Sequence, residues 1–331
     1  MAQKVTIATV ARHAQVSRQT VSNVLNAPHI VREETRERVR ASIATLGYRA
    51  NQAARQMRTG RSRLIAVRIE PTRDGINGSV LDRFLHGLTE AAGAAGYRVL
   101  LYPAADAAGE IATYDDLLGA YELDGFVLTH TDHGDARADW LAEHGVPFVT
   151  FGRPWDDPGR HSWVDVDGAE GTAQATRHLI GAGHRRIAFV GWPAGSGVGD
   201  DRRAGWRSTL TAAGLDPTGL DRETPDGIRQ GEQVARELLD HADPPTALVC
   251  NIDSLAVGAL RAVRELAHPA AVTGFDDTPV AQVIGLTSVS QPLAEVAARC
   301  MDLLVALLDG ARPTPPDPVL LAPTLVLRQT T

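Results

Sequence analysis

The sequence predicts an α/β protein, with a small helical head followed by a larger region of mainly parallel sheet wrapped by helices. Three observations carry this. Residues 5 to 26 place apolar side chains at helical spacing in two short runs. From Leu64 onward, short β-branched runs alternate with helical patterns. Charge also divides the 331-residue chain, which is long enough for two or three cores. Residues 1 to 63 hold twelve basic side chains, Lys4 and eleven Arg, against Glu33, Glu34 and Glu37, a net of +9; the remainder carries −16, giving −7 overall. Two cysteines, Cys250 and Cys300, make no disulfide framework and fit a reducing compartment. No apolar signal opens the chain and no run approaches the roughly 18 residues of a membrane span, so a cytoplasmic protein without membrane contact is expected.

In the head, Val10, Ala11, Ala14, Val16, Val21, Val24 and Leu25 form one seam across a first helix of about Ile7 to Ala14 and a second of about Arg18 to Asn26. Thr6 and Ser17 stand just before the two starts, where a hydroxyl accepts from an orphan backbone N–H. A loop carrying Pro28 leads to a third helix of about Arg32 to Thr45, with Glu33 and Glu34 in its first turn and Gly47 at its end. Val39, Ile43 and Leu46 close the bundle. Two short helices joined by a tight turn match the helix-turn-helix arrangement that enters a DNA major groove. The second helix exposes Arg18 and Gln19 in its first turn and Asn23 one turn later. Arg suits the two acceptors of guanine, and Gln or Asn the acceptor and donor of adenine. Thr6, Ser17, Thr20 and Asn26 suit phosphate oxygens, which position a protein without reading sequence. Concentrated positive charge is what phosphate neutralisation requires, so double-stranded DNA is the expected partner of this end. Residues 50 to 63 are basic and nearly free of large apolar side chains; a helix of about Asn51 to Arg58 is too short to hold alone and reads as a hinge.

Beyond the hinge come LIAVRI, a helix from about Val80 to Ala94, YRVLLY, a helix through Leu117, GFVLT and VPFVTF. A second set follows: a helix of about Ala173 to Ile180, RRIAFVG, helices of about Arg203 to Ala213 and Gln230 to Leu239, TALVC, a helix of about Ser254 to Glu265, and AAVTGF. The chain finishes on a helix of about Pro292 to Leu308, a Pro-rich connector at 313 to 318 and a strand, LVLR.

The TVSNVLN run, the TRERV helix and the GYRANQAARQM segment resemble, in order and spacing, the head and hinge of the LacI family of bacterial transcription repressors. Two α/β lobes in tandem resemble that family's periplasmic-binding-protein-like core, so the likeness spans essentially the whole chain. It implies a head at 1–49, a hinge at 50–61, a first lobe at 62–161 plus 291–320 and a second at 162–290 plus 321–331. It also implies that paired hinge helices enter the minor groove through Asn51, Ala54 and Met57, with Met57 as the apolar wedge. The sequence departs from the pattern at Ala50, where proline is usual, and at Gln15, where glycine is usual in the turn. Arg18, Gln19 and Asn23 occupy the family's variable reading positions.

Ligands of open α/β sheets sit beyond the carboxyl ends of the strands. The resemblance assigns Arg202, Asp276 and Asp253 to the effector site, Asp253 being equally readable as a helix cap. An arginine facing carboxylates offers the directional donors and acceptors that a sugar satisfies. Position after a strand adds Thr129, His130, Arg153 and Gln291, with Trp192 as the best-placed aromatic face, Trp155 and Trp163 after it, and Trp206 assigned to the core. Residues 207 to 239 lack the aromatic side chain that the family frequently places between its middle helices. The GSGVG run at 195 to 199 fails the dinucleotide spacing at Asp200 and reads as a cleft loop, and His130, Asp132 and His133 lack a fourth metal ligand.

The expectation is therefore a DNA-binding repressor of carbohydrate uptake or catabolism genes, without cofactor, metal or enzymatic activity. A sugar-like effector between the lobes would change the spacing of the hinges and so the order of the hinge helices. A homodimer is expected, with Leu293, Val296, Ala297, Met301, Leu304 and Leu308 as interface stripe or as lobe packing; no leucine heptads for tetramers follow. A sugar-binding solute receptor would need an export signal and has no use for a basic head. A sugar-modifying enzyme would need a nucleotide fingerprint or an acid/base pair.

Overall fold

A computed structural model describes residues 5–48, 60–69, 78–310 and 318–331, and the chain separates into two compact units, Met1–Ser62 and Arg63–Thr331.

The head unit holds α1 (Ile7–His13), α2 (Arg18–Asn26), a 3₁₀ turn (Pro28–Ile30) and α3 (Glu33–Leu46). Thr6 Oγ1 accepts from Thr9 N–H while Thr9 Oγ1 accepts from Thr6 N–H, a reciprocal cap. Ser17 Oγ accepts from Thr20 N–H at 3.0 Å. Gly47 closes α3 at φ 61°. Val10, Ala11, Ala14, Val21, Val24 and Val39 form the core, with Val16, Ile43 and Leu46 against it. Leu25, expected in this seam, is instead 37% exposed. It follows Val24 by one residue, a rotation of about 100° off the buried stripe. Gln15 adopts φ 55° in the turn, with its N–H donating to Arg12 O and Val16 N–H donating to Ala11 O. Capping bonds thus hold a left-handed residue where glycine would rest unstrained.

In the second unit, β1 (Leu64–Ile69), β2 (Arg98–Pro103), β3 (Gly125–Thr129), β4 (Phe148–Phe151), β5 (Trp163–Val166) and β11 (Pro318–Leu321) form one parallel sheet in the order β11-β5-β4-β3-β1-β2. Helices α4 (Gly78–Ala94), α5 (Ala107–Tyr121), α6 (Ala136–Glu143) and α12 (Leu293–Leu308) belong to this lobe. The second sheet contains β6 (Ile187–Gly191), β7 (Asp221–Glu223), β8 (Ala247–Cys250), β9 (Ala271–Phe275), β10 (Thr287–Ser290) and β12 (Thr324–Val326), in the order β12-β10-β9-β8-β6-β7. Only β12 runs antiparallel. Its helices are α7 (Gly168–Gly181), α8 (Gly197–Ala212), α9 (Ile228–Leu239), α10 (Asp253–Glu265) and α11 (Pro279–Ile284). Helices α9 and α10 touch through glycine: a Cβ on Gly258 would stand 2.0 Å from Ile228 O.

Three crossings join the lobes, after β5, after β10 and between β11 and β12. The first boundary therefore shifts from 162 to about Asp167, because β5 pairs with β4 and β11 in the first sheet. The elements that the sequence reading did not place are short: the strands β5, DRE in β7, TSVS in β10 and β11 directly after the Pro-rich stretch, and the helices α6 and α11. Helix α8 begins at Gly197 rather than near Arg203, so the GSGVG run is a capped helix start and not a loop; Ser196 Oγ accepts from Gly199 N–H. The α12 stripe is lobe core: Leu293, Val296, Ala297, Met301 and Leu304 are all at most 2% exposed. Trp206 is core as expected, with its indole N–H donating to Ile187 O.

Candidate nucleic-acid interface and ligand cleft

On α2, Arg18 and Gln19 are exposed and Asn23 is half-buried. Gln19 Nε2 donates to Asn23 Oδ1 at 2.9 Å, one helical turn away. The pair leaves an amide oxygen on Gln19 and an amide nitrogen on Asn23 turned to other partners, the complement that an adenine edge offers. Thr6 and Ser17 are occupied as caps, and Thr20 Oγ1 lies 2.9 Å from Ser17 Oγ. Asn26 folds back instead of reaching outward, its Nδ2 donating to Ser22 O at 2.6 Å. Two basic residues of α3 also brace the bundle, Arg36 Nη1 donating to Pro28 O and Arg38 Nε to Ala14 O. Asn51, Ala54 and Met57 lie outside the described residues.

In the second unit, the residues that follow the strands converge on the cleft between the sheets. Asp276 follows β9 at φ 103°, a region that side-chain-bearing residues avoid. Its Oδ1 accepts from Gln291 Nε2 at 2.6 Å and lies 3.6 Å from Arg202 Nη2. Arg202, on α8, stacks its guanidinium carbon 3.6 Å from the Phe275 ring centroid and donates Nη1 to Asn251 O. Burial lowers the Arg202 pKa, with Asp276, Asp165 and Asp201 opposing it; burial raises that of Asp276, with Arg202 opposing. Trp192, half-buried directly after β6, lies 5.9 Å from the Arg202 guanidinium.

The first lobe supplies the facing wall. Thr129 is buried at the end of β3, its Oγ1 3.3 Å from His130 Nδ1. His130 takes φ 54°, its carbonyl accepting from Arg137, which is itself anchored on buried Glu110. Arg153 reaches across the cleft, with Nε on Asp165 at 2.6 Å and Nη2 3.5 Å from Asp201 of α8. It also lies over the Trp155 ring at 4.7 Å. That ring packs on the start of α8 so closely that a Cβ on Gly197 would stand 2.3 Å from it. Arg83 Nη1 donates to Asp276 O at 3.4 Å.

Two expected contacts are placed elsewhere. Asp253 is not the α10 cap, which is Ile252; it is fully buried, accepting from Ser288 Oγ at 2.6 Å and Thr278 N–H at 2.8 Å. It secures the Asp276–Thr278 loop from beneath. Trp163 lies within β5, 5% exposed, with its indole N–H on Pro158 O. His133 pairs with Asp156 at 2.6 Å, and Asp132 Oδ1 lies 3.4 Å from Gly197 N. Among the described residues no cluster of three His, Cys, Asp or Glu is arranged to hold a metal.

Comparison with known proteins decides the family. Residues 6–51 match the description "Bacterial regulatory proteins, lacI family", and residues 176–331 match a periplasmic binding protein-like domain. The HTH-type transcriptional regulator CelR of Thermobifida fusca is 33% identical over 98% of this chain and 97% of its own. The chain belongs to the LacI family. It is a DNA-binding transcriptional regulator with a helix-turn-helix head and a two-lobed core. Among LacI-family relatives, RafR of Escherichia coli is 30% identical over 92% of each chain. A crystal structure of the lac repressor dimer bound to operator and the anti-inducer ONPF aligns over 99% of both chains, with TM-score 0.82 and 28% identity. A structure of a CelR–cellobiose complex aligns over 99% of this chain and 100% of that one, with TM-score 0.74 and 30% identity. No helix among the described residues is long and apolar enough to cross a membrane.

Four cleft residues escaped the sequence reading, Arg83, Asp165, Asp201 and Asn251. Asn251, directly after β8, is fully buried beside Arg202. The signal for Asn251 was its place immediately beyond a strand.

Proposed function

We propose that this LacI-family regulator works as a homodimeric repressor of carbohydrate uptake or catabolism genes, released or recruited by a sugar-like ligand held between its lobes. The observation that carries this reading is the Arg202–Asp276–Gln291 array. It joins α8, the loop after β9 and a lobe crossing in one buried polar group. Such an array offers fixed donors and acceptors to a polyol. The cellobiose complex of a relative aligned over the whole chain supports the ligand class. Thr129, Arg153 and Trp192 complete the walls, and Asp253 acts by holding the Asp276 loop. The operator-bound lac repressor dimer supports the assembly and the DNA roles of the head. In this reading Arg18, Gln19 and Asn23 meet base edges, while Thr6, Ser17 and Thr20 meet the backbone, as does Asn26 on turning away from Ser22. Asn51, Ala54 and Met57 form the minor-groove hinge. The lobes at 62–161 with 291–320 and 162–290 with 321–331, shifted at the first crossing, transmit ligand binding to that hinge. The protein acts in the cytoplasm at the nucleoid and performs no catalysis.

The test is fluorescence anisotropy on DNA from upstream of the protein's own coding region, over a salt series, with and without mono- and disaccharides. Tight, salt-dependent binding that one sugar shifts is expected. Specific DNA binding that no sugar alters removes the sugar from the reading. Sugar binding without any specific DNA site removes the regulatory role of the cleft.

A further inference from the structure

The Asn251 side chain is fully buried, and neither its amide oxygen nor its amide nitrogen has a hydrogen-bond partner. A buried orphan polar atom is costly and native structures hold few of them, so two on one carboxamide call for a partner supplied from outside. The backbone of Asn251 is fully engaged: its N–H donates to Val190 O at 2.9 Å and its carbonyl accepts from Arg202 Nη1. Gly191 of the adjoining strand lies beside the amide, where a Cβ would stand 2.4 Å from the Phe189 ring and 3.3 Å from Asn251 Cγ. Trp192, the residue directly after that strand, also has a buried indole N–H without a partner, and so does Arg202 at Nε. All three residues lie at the carboxyl ends of neighbouring strands or on the helix facing them.

The unmet demand is mixed. Asn251 Nδ2, Trp192 Nε1 and Arg202 Nε are donors, and Asn251 Oδ1 is an acceptor. Asp276 adds Oδ2, since its described hydrogen bond is taken by Oδ1. A phosphate or carboxylate supplies acceptors alone, and an ammonium supplies donors alone. A hydroxyl does both. The guanidinium of Arg202 is already faced by Asp276 at 3.6 Å, so the local charge is offset without a ligand ion.

We infer that the Asn251 carboxamide is a specificity contact for the effector, and that the part of the ligand it meets is uncharged and bears adjacent hydroxyls. The inference rests on the sugar-like ligand proposed above and adds the contact and the charge class.

Isothermal titration of the full chain with glucose, maltose and cellobiose, and with glucose 6-phosphate and glucuronate as charged counterparts, tests it alongside Asn251→Leu and Asn251→Ala. Removing a buried unpaired amide is expected to leave the ligand-free Tm of Asn251→Leu equal to wild type or higher. The affinity of both variants for the best neutral sugar is expected to fall tenfold or more. Opposite signs on stability and affinity are what a purely structural asparagine does not produce. Unchanged affinity in both variants overturns the inference, as does a lowered ligand-free Tm with unchanged affinity. Preference of wild type for glucose 6-phosphate or glucuronate overturns the uncharged assignment while the sugar-like reading stands. Wild-type protein that binds none of the five overturns both.

Discussion

At Asp253, burial and the nearby Asp276 charge raise the carboxyl pKa to about 7, although Ser288 and Thr278 donate to it. The folded chain thus retains a proton that the unfolded chain releases near the ordinary carboxylate value. Stability from this group is present below about pH 4 and is lost as pH rises through about 7. Asp253→Asn removes the ionisation, so the fall in core Tm between about pH 4 and 7 is expected to flatten, read by scanning calorimetry at each pH. An unchanged slope assigns the pH dependence to another group. Gln15 carries a second residue-scale prediction. Its φ of 55° costs an L-residue roughly 1 kcal/mol, partly offset because glycine loses more freedom on folding. Gln15→Gly is therefore expected to stabilise the head by a few tenths to about 1 kcal/mol in denaturant unfolding, without altering the core transition. Such single residues were unevenly legible. Thr6, Ser17 and Gly47 announce their roles because capping is local chemistry, and Gln15 was legible against the family pattern. Trp163 and Asp253 were misplaced because their partners, Pro158 and the Thr278–Ser288 pair, are set by tertiary folding.

At the scale of elements, the start of α8 is the piece that both lobes share. Trp155 of the first lobe lies flat on Gly197, Asp132 approaches the Gly197 N–H, and Arg153 reaches Asp201 one turn later. Since a Cβ there would overlap the indole, Gly197→Val is expected to hold the lobes apart. Small-angle scattering of the core should then give a larger radius of gyration than wild type, and effector affinity should fall at least tenfold. A wild-type radius would show that this contact does not govern closure. A second clash tests packing: Gly258→Ala pushes a methyl onto the Ile228 carbonyl and is expected to destabilise the core by about 1–3 kcal/mol in urea. Periodicity and strand alternation revealed most long helices and apolar strands. They did not reveal DRE, TSVS or the glycine-rich beginning of α8, because β7 is charged, β10 is polar and α8 starts on poor helix formers held by Ser196 and Trp155. Periodicity alone also left the α12 stripe open between interface and core, and packing against α4 and the first sheet resolves it as core.

Across the whole molecule, net positive charge is confined to the head and its adjoining segment, while the remainder is net acidic. DNA affinity should therefore be steeply salt-dependent, falling about a hundredfold or more between roughly 50 and 200 mM salt. A flat response would move the DNA contact away from the basic end. Three chain crossings between the lobes leave the sheets separate bodies joined at Asp167, Gln291 and residues 322–323, and Gln291 links one crossing directly to Asp276. In the proposed function, ligand preference for one lobe arrangement couples to DNA affinity, typically by about 1–3 kcal/mol for linked sites. The measurement that tests this most directly is anisotropy on operator DNA for wild type and Asp276→Asn, with and without the sugar that shifts wild type. Asparagine tolerates a positive φ and retains an acceptor for Gln291. The expected result is wild-type DNA affinity in the variant without ligand and loss of the sugar-induced shift. A shift of wild-type size at the same sugar concentrations would contradict control of the head through the Arg202–Asp276 cleft.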